Sequence, residues 1–475
     1  MERYDLIVIG GGPAGYLSAE RAGALGKSVL VVEREEIGGV CLTRGCIPTK
    51  TLLHGAKLHR EFSHADTFGL TVSGVTYDLA RAMEHKRRTV TTLQKGIMGQ
   101  FKRLGVTFVT GTARLLAPGR VAVDGNEFGA EKILLATGAR PARPPIPGIQ
   151  DNSGVLTSRE ILDLDRMPAS LTIIGGGYIG MEFATYFASF GVPVTVVEMT
   201  DEIIPTVERD IVKALRRELP EMEILTGHRV TGVQRGNSGK LHGGGQQVLV
   251  EGPDGPRTLE SELVLLSTGR VPNVEGNGFE EAGLDFDRRG VRVDEYMQTN
   301  LPGVYAAGDV TGKVLLAHAA YRMGEVAVAH MFRDTAQSDA QPGDAGGRRR
   351  WPNRMRYDAI PWVVFTSPEI AGCGLGEEEA RARGIETRSA TVSLKVSGRY
   401  LAEHPRERGT VTVITDASDG RLIGVRLYGS GVGEIIHSAA VMIEQELRVQ
   451  DVREIVFPHP TVSEALRDAV WDIHP

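Results

Sequence analysis

Residues 5–33, DLIVIGGGPAGYLSAERAGALGKSVLVVE, and residues 171–198, LTIIGGGYIGMEFATYFASFGVPVTVVE, share one pattern of apolar and polar positions. Each opens with a short apolar run, breaks at three consecutive glycines, and ends in a second apolar run closed by a glutamate. Short apolar runs of this kind suit strands buried on both faces of a parallel sheet. The pattern predicts strand, helix and strand, twice over. It therefore predicts an α/β fold with two Rossmann-like dinucleotide-binding domains.

Two later segments echo each other in the same way. EKILLATGAR (131–140) and SELVLLSTGR (261–270) each predict a strand running into a Thr-Gly turn, at Thr137 and Gly138 and at Thr268 and Gly269. Each follows its own nucleotide half, so the two read as exit strands. GVYAAGDV (303–310) predicts one more strand, with Asp309 at its carboxyl end. Doubly wound sheets hold ligands there; an ordinary turn Asp is the alternative.

The glycines have a chemical reading. Gly10, Gly12 and Gly15 form G-x-G-x-x-G, as do Gly175, Gly177 and Gly180. The first glycine allows a tight turn, the second lets backbone approach a pyrophosphate, and the third lets helix and strand pack closely. The helix N-terminus then offers free N–H groups to the phosphates. Glu33 and Glu198 each lie 23 positions after the first glycine, close to the ~20 at which an acid meets the adenosine ribose. One such motif is weak evidence; two with matched strands and acids predict two dinucleotide sites. The Glu198 carboxylate would repel a 2′-phosphate, and no Arg follows it at once, which favours NAD over NADP. The alternative is that Glu198 merely ends an exposed strand.

Bulk properties exclude several classes. At 475 residues the chain exceeds one core and points to about three domains. A formal net charge of -6 does not favour a nucleic-acid partner. No apolar run approaches the ~20 residues of a membrane span. The chain enters a strand almost at once, with no signal-peptide pattern, so a cytoplasmic protein is expected. Three cysteines in this length do not make a secreted disulfide scaffold.

Two of those cysteines, Cys41 and Cys46, fall in GGVCLTRGCIPTK (38–50). In a reducing compartment such a pair is redox-active or half of a metal site. Zinc usually needs a second pair, and the only other cysteine is Cys373. The local sequence favours a redox pair. Gly45 would permit an unusual backbone angle between the cysteines. Pro48 suits the first turn of a helix through PTKTLLHGAKLHREF. Cys46 would lie at that helix's N-terminus, where the dipole favours thiolate, and Arg44 would add positive charge. FPHPTVSEALRDAV (457–470) offers His459 and Glu464, a base and an orienting carboxylate for thiol exchange. Thr461-x-x-Glu464 also reads as a capping box for the last helix.

Taken together, these motifs resemble the flavin-dependent pyridine nucleotide–disulfide oxidoreductases. The first dinucleotide site, the CxxxxC segment, both Thr-Gly turns, the second site, AAGDV and HPTVSE occur in that family's order over nearly the whole chain. LLAHAAYRMGEVA (315–327) and FPHPTVSEALRDA (457–469) are similar to its dihydrolipoamide-oxidising branch. No cysteine pair stands near the C-terminal WDIHP, as mercuric reductases and large thioredoxin reductases would need.

The resemblance implies FAD at Gly10, Gly12, Gly15, Glu33, Lys50, Thr137, Gly138 and Asp309. It implies NAD at Gly175, Gly177, Gly180, Glu198 and Gly269, with no metal. It implies that Cys46 faces the flavin, that Cys41 exchanges with substrate, and that Lys50 pairs with Glu182 beside the flavin. Two unrelated solvated charges are the alternative for that pair. The His459–Glu464 dyad would act from the partner subunit of a homodimer. The implied substrate is dihydrolipoamide on a lipoyl-bearing protein of a 2-oxoacid dehydrogenase or glycine-cleavage system. A glutathione-reductase-like enzyme and a flavoprotein acting mainly as a complex component are the competing readings.

The expected division is an FAD-binding domain at 1–148, an NAD-binding domain at 149–272, a return segment with a polar linker at 273–350, and an α+β dimerisation domain at 351–475. The polar stretch 333–354 reads as a flexible linker, with Arg348, Arg349 and Arg350 as a solvated run. Residues 235–247 read as a hairpin tip. Thr43, Arg44 and Thr49 stand where many members of the family have Asn, Val and Ser.

Overall fold

The computed structural model describes residues 1–236, 242–333 and 353–474. The predicted first strand, Glu2–Ile9, lies between Val29–Glu33 and Asn126–Leu135, parallel to both. Thr107–Thr110 extends the sheet beyond Val29–Glu33. The strand Asn126–Leu135 serves two neighbours. Its first half pairs antiparallel with Arg120–Val123, and its last residues pair parallel with Val304–Ala306. The chain thus returns to the first sheet after visiting the second domain.

Both faces of this sheet are covered, as its unbroken apolar runs require. Leu6, Val8, Val29, Val31 and Leu134 pack on one face with the helices Pro13–Ala24, Leu79–Leu104 and Ala317–Met331. Ile7, Ile9, Leu30, Val32 and Ile133 pack on the other with Val121, Phe279 and Val310. Alternate residues of one strand feed two cores because side chains alternate across a pleat.

The second repeat builds a second parallel sheet. Its order is Glu223–Leu225, Val194–Val197, Leu171–Ile174, Leu263–Leu266 and Val155–Leu156. An antiparallel meander, Arg229–Arg235, Gln246–Gly252 and Gly255–Ser261, leans on it. The expected hairpin at 235–247 does join two antiparallel strands; its residues 237–241 lie outside the described residues.

The two exit segments do more than leave their sheets. Ala139–Pro141 and Arg270–Pro272 pair antiparallel with each other, Val271 opposite Arg140. The Thr137 hydroxyl donates to Asn273 O at 2.9 Å, and the Asn273 amide donates to Thr137 O at 2.8 Å. This clasp joins the two nucleotide folds.

The third unit is a five-stranded antiparallel sheet: Trp362–Val364, Glu369–Gly374, Leu422–Gly429, Thr410–Asp416 and Thr387–Ser393. The helices Val432–Glu444, Val449–Arg453 and Glu464–Trp471 cover it around Val425, Leu427, Ile436 and Leu466. Residues 334–352, which include most of the expected linker and the Arg348–Arg350 run, lie outside the described residues. Among the described residues no helix is long and apolar enough to cross a membrane.

Candidate functional site

The two glycine loops use their glycines alike. Gly10 has φ +110°, and a Cβ there would come within 2.2 Å of Ala136 O. A Cβ on Gly15 would sit 1.8 Å from Gly10 O. The second loop repeats this: Gly175 has φ +104°, and a Cβ on Gly180 would sit 2.0 Å from Gly175 O. These close approaches shape the turn and seat the helix. The middle glycines differ. A Cβ on Gly177 would meet nothing within 4 Å, and one on Gly12 only Gly39 Cα at 3.8 Å. Gly12 and Gly177 cap the helices Pro13–Ala24 and Tyr178–Ser189, so each leaves open space at a helix N-terminus. That is the cradle a pyrophosphate fills.

The two glutamates hold those loops. Glu33 accepts from Gly11 N–H at 2.7 Å and from Glu35 N–H at 2.9 Å. Glu198 accepts from Gly176 N–H and from Thr200 N–H, each at 2.8 Å. Glu198 is only 7% exposed, so it is no solvated strand end. Each carboxylate fixes its own glycine turn, a task beyond the sugar contact expected from the motif.

A single cleft of about 1180 Å³ runs between the loops. It exceeds the roughly 1,000 Å³ upper end of ordinary small-molecule pockets, as a site for extended ligands should. Gly10, Gly12 and Glu33 line one end, and Gly175, Gly177 and Glu198 the other. Thr137, Gly138, Gly269 and Asp309 lie along its wall. Cys41, Cys46, Lys50 and Glu182 line the same cleft. The donor set fits two dinucleotides, one at each glycine loop.

The cysteines occupy two consecutive helical segments, Gly39–Arg44 and Cys46–Phe62. The second starts at Cys46 itself, two residues before Pro48. Gly45 between them has φ -146° and ψ -109°, neither helical nor extended, so the unusual backbone angle expected of it is present. Glycine is needed for space as well: a Cβ would meet Val40 O at 2.8 Å. Both cysteines are free thiols in this structure. The Cys41 thiol hydrogen-bonds to Cys46, which pushes Cys41 up and holds Cys46 below the ordinary thiol range. The Lys50 ammonium, one turn along the same helix, adds to the lowering of Cys46. The asymmetry favours a thiolate at Cys46 over one at Cys41.

Arg44 does not supply the positive charge expected of it here. Its guanidinium bonds to Glu35, which Arg159 also approaches at 3.3 Å. Lys50 takes that role, and its partner is Glu182, with Nζ 2.9 and 2.7 Å from the two carboxylate oxygens. The Glu182 side chain is 8% exposed, so the pair is not two solvated charges. Thr43 donates to Gly39 O at 2.8 Å, a local helix bond. Thr49 is buried.

Two residues of the site were not singled out from sequence. Arg270 lines the cleft with its Nε 3.8 Å from Asp309 Oδ2. Burial raises the Asp309 carboxyl and lowers the Arg270 guanidinium. Its signal was present, since Arg270 closes the second Thr-Gly-Arg turn. Phe365 is the other. Its N–H donates to Glu182 at 3.1 Å, and its ring centroid lies 4.6 Å from Lys50 Nζ. Nothing local in the sequence marks it.

His459 and Glu464 meet each other but not the cleft. His459 Nδ1 lies 3.0 Å from Glu464 Oε1, while the imidazole is 78% exposed. Glu464 also accepts from Thr461 N–H at 3.0 Å. These bonds hold its carboxyl below the usual range. The expected capping box is not formed: the helix is capped at Ser463 and begins at Glu464, and the Thr461 hydroxyl donates to Pro458 O. With Nδ1 engaged by Glu464, Nε2 would be the nitrogen available as a base. Among the described residues no group of three or more His, Cys, Asp or Glu is placed to hold a metal ion. Cys373 is buried in the C-terminal sheet.

Known proteins are similar to this chain over nearly its full length. The chain is 33% identical to dihydrolipoyl dehydrogenase from Bacillus subtilis, covering 98% of this chain and 97% of that protein. It is 36% identical to dihydrolipoyl dehydrogenase 3 from Pseudomonas aeruginosa, covering 100% and 98%. Among solved structures, LpdA from Mycobacterium tuberculosis superposes with a TM-score of 0.85 at 27% identity, covering 99% of each chain. The HOCl-induced flavoprotein disulfide reductase RclA from Escherichia coli superposes with a TM-score of 0.82 at 28% identity, covering 99% of this chain and 100% of RclA. Residues 360–470 match the pyridine nucleotide-disulphide oxidoreductase dimerisation domain. With residues 4–324 matching the oxidoreductase domain that precedes it, the chain belongs to the pyridine nucleotide-disulphide oxidoreductases.

Proposed function

We propose that this protein is a dihydrolipoamide dehydrogenase, oxidising dihydrolipoamide on a lipoyl-bearing protein and reducing NAD⁺. The observation that carries the reading is the placement of one thiol pair, Cys41 and Cys46, on the wall of a cleft that ends in two glycine loops. The carrier belongs to a 2-oxoacid dehydrogenase or glycine-cleavage system, and the enzyme works as a cytoplasmic homodimer. FAD belongs at the first loop and NAD at the second. The domain divisions are those at 148, 272 and 350.

Each side chain has a task. The partner subunit's His459, oriented by Glu464, takes a proton from one substrate thiol. The thiolate attacks Cys41 of the oxidised pair, forming a substrate–Cys41 bond as the Cys41–Cys46 bond breaks. Cys46 is left as the thiolate that Lys50 favours. The second substrate thiol then attacks the substrate sulfur of the mixed disulfide. The cyclic disulfide departs, and Cys41 leaves with the proton that this second thiol gives up. One proton stays on His459 and balances the Cys46 thiolate; two electrons have moved from substrate to the pair. FAD, when bound, supplies the relay that accepts these two electrons and passes them to NAD⁺. Lys50 and Glu182 keep a fixed ion pair beside that relay, and Arg270 with Asp309 keeps another along the cleft.

Steady-state turnover tests the reading. Reduction of NAD⁺ by dihydrolipoamide supports it. Oxidation of NADPH by glutathione-like disulfides, with no dihydrolipoamide turnover, would instead place the chain among reductases running the other way; the likeness to RclA keeps that reading in view. No turnover in either assay, with FAD bound, would leave a role as a complex component.

A further inference from the structure

We propose that Phe365 is a positioning residue for the thiol chemistry: it clamps the Lys50–Glu182 pair and so ties docking of the C-terminal domain to the ammonium that faces Cys46. Phe365 directly follows the strand Trp362–Val364 of the C-terminal sheet. Lys50 belongs to the helix Cys46–Phe62 of the first nucleotide fold, and Glu182 to the helix Tyr178–Ser189 of the second. Three parts of the chain therefore meet at one ion pair.

Phe365 touches both members. Its backbone N–H donates to Glu182 Oε1 at 3.1 Å, and its ring lies 4.6 Å from Lys50 Nζ. Lys50 already gives Glu182 bonds of 2.9 and 2.7 Å. Glu182 is buried, and a buried carboxylate needs partners for its lone pairs. The N–H occupies an acceptor site on the carboxylate, and the negative face of the ring gives the ammonium a second partner. Phe365 acts through Lys50. The charged and titratable groups that face Cys46 are Cys41 and Lys50 nearby in sequence, Glu182, Arg270 and Tyr321. Arg270 is held by Asp309 at 3.8 Å, which leaves Lys50 as the cation that Phe365 can set.

The inference rests on the redox-pair reading of Cys41 and Cys46, and not on the choice of dithiol. The test is a pH titration of the long-wavelength absorbance of the two-electron-reduced holoenzyme, which reports the Cys46 thiolate. F365L removes the ring and keeps the N–H; F365Y keeps both. The midpoint in F365L should rise by about half a pH unit, and F365Y should stay at the wild-type value. Adding F365L to K50M should give no further shift. If F365L does not form a folded dimer, F365M, which fills the space without a ring, takes its place. An unchanged midpoint in F365L, or a shift that adds fully to that of K50M, would overturn the proposal. Absence of dihydrolipoamide turnover in the wild type would overturn the proposed function and leave this titration readable.

Discussion

Lys50 Nζ lies 2.7 Å from Glu182 Oε2 although 132 positions separate them in the chain. The pair bridges the two nucleotide folds at the point where the thiols face the cleft. The same ammonium lowers the Cys46 thiol. K50M should therefore raise it. The thiolate is present above its folded pKa and lost as pH falls through it, so the K50M titration should move to higher pH by about one unit. A K50M curve that overlays the wild type would contradict this assignment.

The two cysteines should fail differently. C46S should abolish the long-wavelength absorbance on two-electron reduction and all dithiol turnover. C41S should keep a thiolate at Cys46 and the absorbance, yet lose exchange with substrate. Spectra and turnover of both variants check this; an absorbance retained in C46S would reverse the roles.

The proposed function places the exposed His459 in a site shared between subunits. H459Q should lower dithiol turnover by roughly 10²- to 10⁴-fold and leave flavin reduction by NADH intact. Mixed dimers of H459Q with C41S should regain activity, since one of their two sites carries both an intact thiol pair and an intact imidazole. Mixtures that stay inactive after verified subunit exchange would place the base in the same chain as the thiols.

Gly177 and Gly180 should separate binding from folding. G177A adds a methyl where nothing lies within 4 Å. It should leave stability within about 0.5 kcal/mol and raise the KM for NAD⁺ roughly tenfold or more by filling the phosphate cradle. G180A puts a Cβ 2.0 Å from Gly175 O, so helix and turn must part, at a cost of about 1–3 kcal/mol. Melting temperatures and NAD⁺ kinetics check both. Equal behaviour of the two variants would refute the division of roles.

Sequence expectations were refined on physical grounds. Gly45 has the unusual backbone angle expected of it, with φ -146° and ψ -109°, and it also supplies room against Val40 O. Arg44 was expected near the thiolate, but Glu35 lies closer to its reach and takes the guanidinium. Spacing along the chain cannot report which group a long side chain will find.

The local repeats determined most of the architecture by themselves. Buried parallel strands must be apolar on both faces, tight turns must use glycine, and a helix must begin where the phosphates bind, so Asp5 to Glu33 and Leu171 to Glu198 carried their own fold. The thiol pair and its helix were legible for the same reason: four intervening residues bring Cys41 and Cys46 together whatever the rest of the chain does. Tertiary structure alone decided what lies across domain boundaries. The clasp of Thr137 with Asn273, the Arg270–Asp309 pair, the Phe365 contact with Lys50 and the exposure of His459 all join segments more than 30 residues apart or turn them outward. Such contacts depend on how whole sheets dock, and docking is fixed by the sum of many buried side chains rather than by any local pattern.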